Sequence, residues 1–91
     1  MATIKKKVLP EYFELILSGE KKLELRLADF EINKGDTLIL EEWNKDKGEY
    51  TGRRVEVVAN YILKTKNVSF WTPEEIEKYG FQIIQFKVKD R

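Results

Sequence analysis

The chain of 91 residues contains no cysteine and no histidine. Without cysteine there is no disulfide framework, no thiol nucleophile and no cysteine metal site. Without histidine it lacks the commonest general base near neutral pH and the commonest transition-metal ligand. Any chemistry must run on Lys, Arg, Asp, Glu, Ser, Thr and Tyr. No Asp-rich loop with calcium spacing appears, so no metal is expected, and no pattern asks for a cofactor. No apolar run approaches the length that crosses a bilayer. The short basic stretch Met1 to Lys7 is not followed by the apolar segment of a signal peptide. The expectation is a cytoplasmic protein without a membrane partner, acting as a monomer. An excess of charge of one sign is also missing. The formal net charge is +1, so bulk charge does not argue for a nucleic-acid partner.

What is present is charge in both signs. Charged residues make up 36% of the chain, with lysine and glutamate well ahead of arginine and aspartate. This balance resembles that of thermophile proteins, in which charged networks cost less to desolvate at high temperature. The charges are unevenly spread. Residues 27–50 carry three basic and seven acidic side chains, and residues 51–71 four and one. A fold that brings 1–26 beside 51–71 would create a basic face on a nearly neutral molecule. A chain this short buries roughly 60–65% of its unfolded surface, which allows one domain with a modest core.

No repeat or linker interrupts residues 1–91, which read as one unit. Ile4 to Leu9 suits a first strand, its lysines discouraging edge pairing. Pro10 fits the first turn of a helix, Tyr12, Phe13, Ile16 and Leu17 form its apolar stripe, and Gly19 ends it. In Lys22 to Leu27 the leucines 23, 25 and 27 alternate with Lys22, Glu24 and Arg26. That is the period of a strand with one apolar and one charged face. Gly35-Asp36 turns the chain into the β-forming run Thr37 to Trp43. Asn44 to Glu49 is a polar hairpin connection, and Gly52 suggests a bulge or bend in the returning strand. Arg53 to Leu63 reads as a long strand with Val55, Val57, Ala59, Tyr61 and Leu63 on one face. Thr72-Pro73-Glu74-Glu75 starts a helix with a capping box, Ile76 and Tyr79 face the core, and Gly80 closes it. Phe81 to Lys89 is a last strand with Ile84, Phe86 and Val88 inward. The expected core comprises Leu23, Leu25, Leu38, Leu40, Val55, Val57, Ile84 and Phe86.

The pattern Gly19-x-Lys21-x-x-Glu24-x-Arg26 behind a short amphipathic helix, followed by Ile32 to Leu40 with its Gly-Asp turn, resembles the signature of the ASCH domains, small relatives of the PUA-like barrels. The resemblance covers nearly the whole chain. It implies an α+β, mainly β fold: a small PUA-like barrel of five or six strands, with two short helices at its openings. It also implies a cleft beside the barrel at Lys21, Glu24 and Arg26 that holds RNA or a nucleotide-like ligand.

The residue types suit that chemistry, although spacing alone fits a solvated strand face equally simply. A lysine and an arginine near one carboxylate make an anion site, the arginine as a planar fork and the lysine as a point charge. The structural alternative is an exposed ion pair contributing about 0–1 kcal/mol. Lys22 and Arg53 extend the basic set. Lys64 to Trp71 combines Lys64 and Lys66 with hydroxyl and amide side chains and the aromatics Phe70 and Trp71. This composition suits single-stranded RNA held by its backbone and by stacking on Trp71. One of the two aromatics is expected in the core. Trp43 and Tyr50 are hairpin neighbours able to form a cross-strand pair. One bacterial branch similar in architecture hydrolyses amides on acylated cytidine nucleosides, which would assign Lys21 and Glu24 catalytic roles. Glu24 stands where that branch has a threonine, and Lys22 offers no hydroxyl, so the nucleophile has no carrier. RNA binding is the leading expectation, with amide hydrolysis on modified nucleosides and a protein-interaction module as alternatives.

Overall fold

A computed structural model describes residues 1–65 and 70–80. Three strands form one mixed sheet in the order β1-β2-β3: β1 (Thr3–Val8), β2 (Thr37–Asn44) and β3 (Glu49–Val58). β1 and β2 run parallel, with Ile4 opposite Leu38 and Val8 opposite Glu42. Parallel neighbours need a crossover, because the chain must return to the starting end of the sheet. The crossover contains α1 (Pro10–Leu17), with proline at its start. Gly19 adopts φ 81 immediately beyond the helix, a conformation glycine takes without steric cost.

Strand alternation fixes which side chains α1 covers. Ile4 and Val8, Leu38 and Leu40, and Val55 and Val57 occur at period two on their strands. They pack with Phe13, Ile16 and Ile32 into the core, in which Phe13 and Leu40 are fully buried. Ile39 is buried as well. β2 is the central strand, and its Leu-Ile-Leu run is apolar on both faces.

β2 and β3 form an antiparallel hairpin through residues 45–48. The Gly48 N–H donates to the Asn44 carbonyl at 2.8 Å, and the Lys47 N–H to the Asn44 side chain at 3.0 Å. Glu41 pairs with Arg54 but Trp43 with Tyr50. Residues 51–53 of β3 therefore oppose Glu42 alone. Gly52, with φ 94, lies in this bulge, where the sequence predicts it. α2 (Pro73–Tyr79) carries the expected capping box between Thr72 and Glu75.

Several expectations are corrected. Residues 22–27 are extended but belong to no sheet. Leu25 and Leu27 are 75% and 81% exposed, and only Leu23 is half-buried. Alternation alone does not make a strand: residues 22–27 approach the edge strand β1 through a side chain and not through a backbone ladder. Arg26 Nη2 donates to the Lys7 carbonyl of β1, and Lys21 Nζ to the Leu23 carbonyl. β3 stops at Val58 rather than Leu63. Its ladder gives way to a closure in which Ala59 N–H donates to Asp36 O at 2.9 Å and Gly35 N–H to Ala59 O at 2.7 Å. Tyr61, Leu63 and Tyr79 are exposed in place of the expected burial. Phe81 to Lys89, with Ile84 and Phe86, lies outside the described residues. Among the described residues the fold is a small α+β domain, an open three-stranded sheet with two short helices.

Candidate functional site

The segment after α1 is held in place by charge. Its backbone returns toward the helix through Lys21 N–H, which donates to Leu15 O at 3.0 Å. Lys21 Nζ lies 2.6 Å from Glu24 Oε1, and Arg26 Nε lies 3.0 Å from Glu24 Oε2. One carboxylate thus bridges two cations, with a different oxygen for each. The three side chains are 19%, 17% and 30% exposed for Lys21, Glu24 and Arg26, so the triad is partly withdrawn from water but open on one side. Lys21 Nζ also lies 5.9 Å from the centre of the Tyr12 ring on α1. Through the Lys7 carbonyl, Arg26 ties the whole group to the edge strand β1. The predicted constellation therefore assembles, on an extended loop rather than on a strand.

The triad is a carboxylate-bridged cation pair, a latch between the loop and β1. Both Glu24 oxygens are engaged by cations, and among the described residues no hydroxyl side chain is their partner. Donors remain on the cations. An ammonium has three N–H bonds and a guanidinium five. Lys21 uses two, and Arg26 commits Nε and one N–H of Nη2. These three residues do not line the open depression formed by Ile32, Asn33, Lys34, Asn60, Tyr61, Ile62 and Lys64.

The other predicted residues separate. Lys22 is exposed and without an ion pair among the described residues. Lys64 lines the depression just named and is exposed. Lys66 lies outside the described residues. Trp71 is half-exposed and packs edge-to-face on Phe70, with ring centres 5.7 Å apart. Phe70 is more exposed still, so neither ring is the buried plug that was expected of one of them.

Arg53 is half-exposed and lies against α1 and β2. It contacts Glu14 of α1 at 2.5 Å and Glu42 of β2 at 3.4 Å, and its guanidinium stands 4.8 Å from the centre of Phe13. Glu42 is only 6% exposed, and it also accepts a 2.6 Å hydrogen bond from Thr51 Oγ1. The hydrogen bond from Arg53 to Glu14 holds the guanidinium above its already high ordinary pKa. A buried carboxylate needs such partners. Arg53 thus links α1 to the sheet, and this residue of the stretch 51–71 meets the first segment through an ion pair with Glu14.

Two groups make contacts that the sequence did not signal. Asp36 of the Gly-Asp turn is buried and accepts from Ala2 N–H at 2.9 Å and Asn33 N–H at 2.7 Å. These two backbone donors hold its carboxyl below the usual aspartate range. Lys7 is the second. Its ammonium lies 3.8 Å from the centre of the Trp43 ring and 5.8 Å from that of Tyr50. Those two rings form the expected cross-strand pair, T-shaped with centres 4.9 Å apart. The hairpin spacing signalled the aromatic pair, but nothing local signalled the lysine that covers it.

Fold and site together define a small α+β domain in which a mixed sheet carries a carboxylate-bridged cation pair against its parallel edge strand. The chain belongs to the family described as "Domain of unknown function (DUF3850)", whose profile matches residues 3–74, a range that includes the latch, the hairpin and the Asp36 turn. It is 48% identical over 70 residues to the "Uncharacterized 12.9 kDa protein in GpA 3'region" of Escherichia phage P2. The alignment covers 77% of this chain and 60% of that relative, so the chain spans less than two thirds of the relative's length. No solved structure matches the chain.

Proposed function

We propose that this domain binds single-stranded RNA, or a nucleotide portion of it, with Lys21 and Arg26 as the phosphate-holding residues and Glu24 as the group that orients them. The reading includes the ASCH resemblance, and it treats the three-stranded sheet as part of a PUA-like barrel. The observation that carries it is the latch itself. Glu24 places two cations side by side while N–H donors on each remain uncommitted among the described residues, and the triad keeps a net positive charge. A phosphate accepts several N–H donors at once and is well matched by a guanidinium fork beside an ammonium. The protein-interaction and hydrolase readings have no comparable geometric support.

A near-neutral domain must bind RNA through a few local cations, each releasing condensed counterions. For single strands the slope of log affinity against log salt is about −0.7 per phosphate neutralised. Titration of labelled single-stranded RNA at several salt concentrations tests the proposal. Lys21→Ala and Arg26→Ala each weaken binding and flatten the slope by about 0.7. Affinity and slope unchanged in both variants would refute it.

A further inference from the structure

We infer that Lys7, Trp43 and Tyr50 form a base-stacking site continuous with the Lys21–Arg26 phosphate site. This rests on the RNA-binding reading above and extends it to the place where a nucleobase would sit. Lys5 and Lys7 alternate with the core residues Ile4 and Val8, and Trp43 alternates with Glu42. Lys7 and Trp43 therefore share the face of the sheet opposite α1. The Lys7 ammonium lies over aromatic rings, 3.8 Å from the centre of Trp43. Glu41, directly opposite Lys7 in the ladder, makes no ion pair with it among the described residues. Tyr50 is half-exposed at the far end of the hairpin, beyond the Leu38–Leu40 core, where burial does not require an aromatic.

One residue joins this cluster to the latch. The Lys7 carbonyl accepts from Arg26 while the Lys7 ammonium reaches the two rings. A strand whose phosphate lies on Arg26 and Lys21 is therefore a single residue away from an aromatic face. The neighbouring charges set its direction. In the hairpin Lys45 and Lys47 balance Asp46 and Glu49, so it offers a phosphate no net attraction, whereas Lys7, Lys21 and Arg26 on the other side do. The backbone then runs over the Arg26 and Lys7 side, and the base turns toward Tyr50. Stacking on aromatic faces is tolerant of sequence, because every base has a π-face, so the site takes a base of any identity.

The test uses the full chain with an oligouridylate and an abasic strand of the same length and charge. Trp71→Phe leaves Trp43 as the one tryptophan of the two in the chain. In that background oligouridylate quenches the Trp43 emission and the abasic strand does not. Tyr50→Ala lowers the affinity for oligouridylate about 5- to 150-fold, with the salt slope and the abasic affinity unchanged. Lys21→Ala and Arg26→Ala weaken both strands alike. Tyr50→Ala without effect, or weakening both strands equally, with no quenching of Trp43, would overturn the stacking site and leave the phosphate reading in place. Failure of the unaltered protein to bind either strand would overturn both.

Discussion

Removal of the Glu24 carboxylate separates the latch from its surroundings most directly. Glu24→Ala deletes the 2.6 Å contact to Lys21 and the 3.0 Å contact to Arg26 in one step. Fully exposed ion pairs contribute about 0–1 kcal/mol, and hydrogen bonds to charged groups about 1.5–3 kcal/mol. The triad lies between these limits, since its side chains are about one fifth to one third exposed. About 1–3 kcal/mol for the two contacts together follows. In a domain of this size each kcal/mol lowers Tm by roughly 4–8 °C. Glu24→Gln keeps the shape but presents one N–H₂ where an oxygen stood, so one cation loses its partner and the cost falls between wild type and Ala. Double-mutant cycles of Glu24→Ala with Lys21→Met and with Arg26→Met isolate the two pairwise energies, read from urea midpoints at constant m. Residues in direct contact couple by about 0.5–3 kcal/mol, whereas independent ones add within about 0.3–0.5. Coupling should appear in both cycles and shrink in high salt. On the binding side, the same substitution raises the local charge by one, and RNA affinity at low salt is retained or increased while its positioning is lost. Additivity in both cycles would refute the bridging geometry on which the site rests.

Two further outcomes follow from the core and from the Asp36 turn. Phe13 is fully buried between α1 and the sheet and also lies beneath Arg53. Phe13→Ala is expected to cost about 3–5 kcal/mol, enough to unfold much of a marginal domain, with calorimetry as the measure. A loss below about 1 kcal/mol would contradict the placement of α1 on the sheet. Asp36 has a lowered folded-state pKa, caused first by the Ala2 N–H and then by the Asn33 N–H. Its stabilisation is therefore complete above the unfolded aspartate pKa of about 3.9 and is lost as pH falls through the lower folded value. Urea midpoints measured across the acidic range should fall more steeply with decreasing pH for the wild type than for Asp36→Asn. Equal slopes would remove Asp36 as the clasp of the N-terminal strand.

Local features were determined by the sequence alone because their causes lie within a few residues. Pro10 and Gly19 bound α1, Thr72-Pro73 with Glu75 starts α2, and Gly52 marks the bulge, each through backbone preferences that need no distant partner. The Trp43–Tyr50 pair follows from hairpin spacing, and the nearness of Glu24 to Lys21 and Arg26 from positions two and three apart. The tertiary structure decided everything that depends on a partner far along the chain. Residues 22–27 alternate as a strand does, yet they join no backbone ladder, a choice that alternation cannot make. Arg26 reaches Lys7, nineteen residues away, with a side chain and not a ladder. Arg53 looked like one more surface cation until α1 and β2 brought Glu14 and Glu42 to it, thirty-nine and eleven residues distant. Lys7 gained its aromatic neighbours because a parallel crossover sets β1 beside β2. Periodicity specifies which way a side chain points along its own element, whereas what stands opposite it depends on how the elements are brought together.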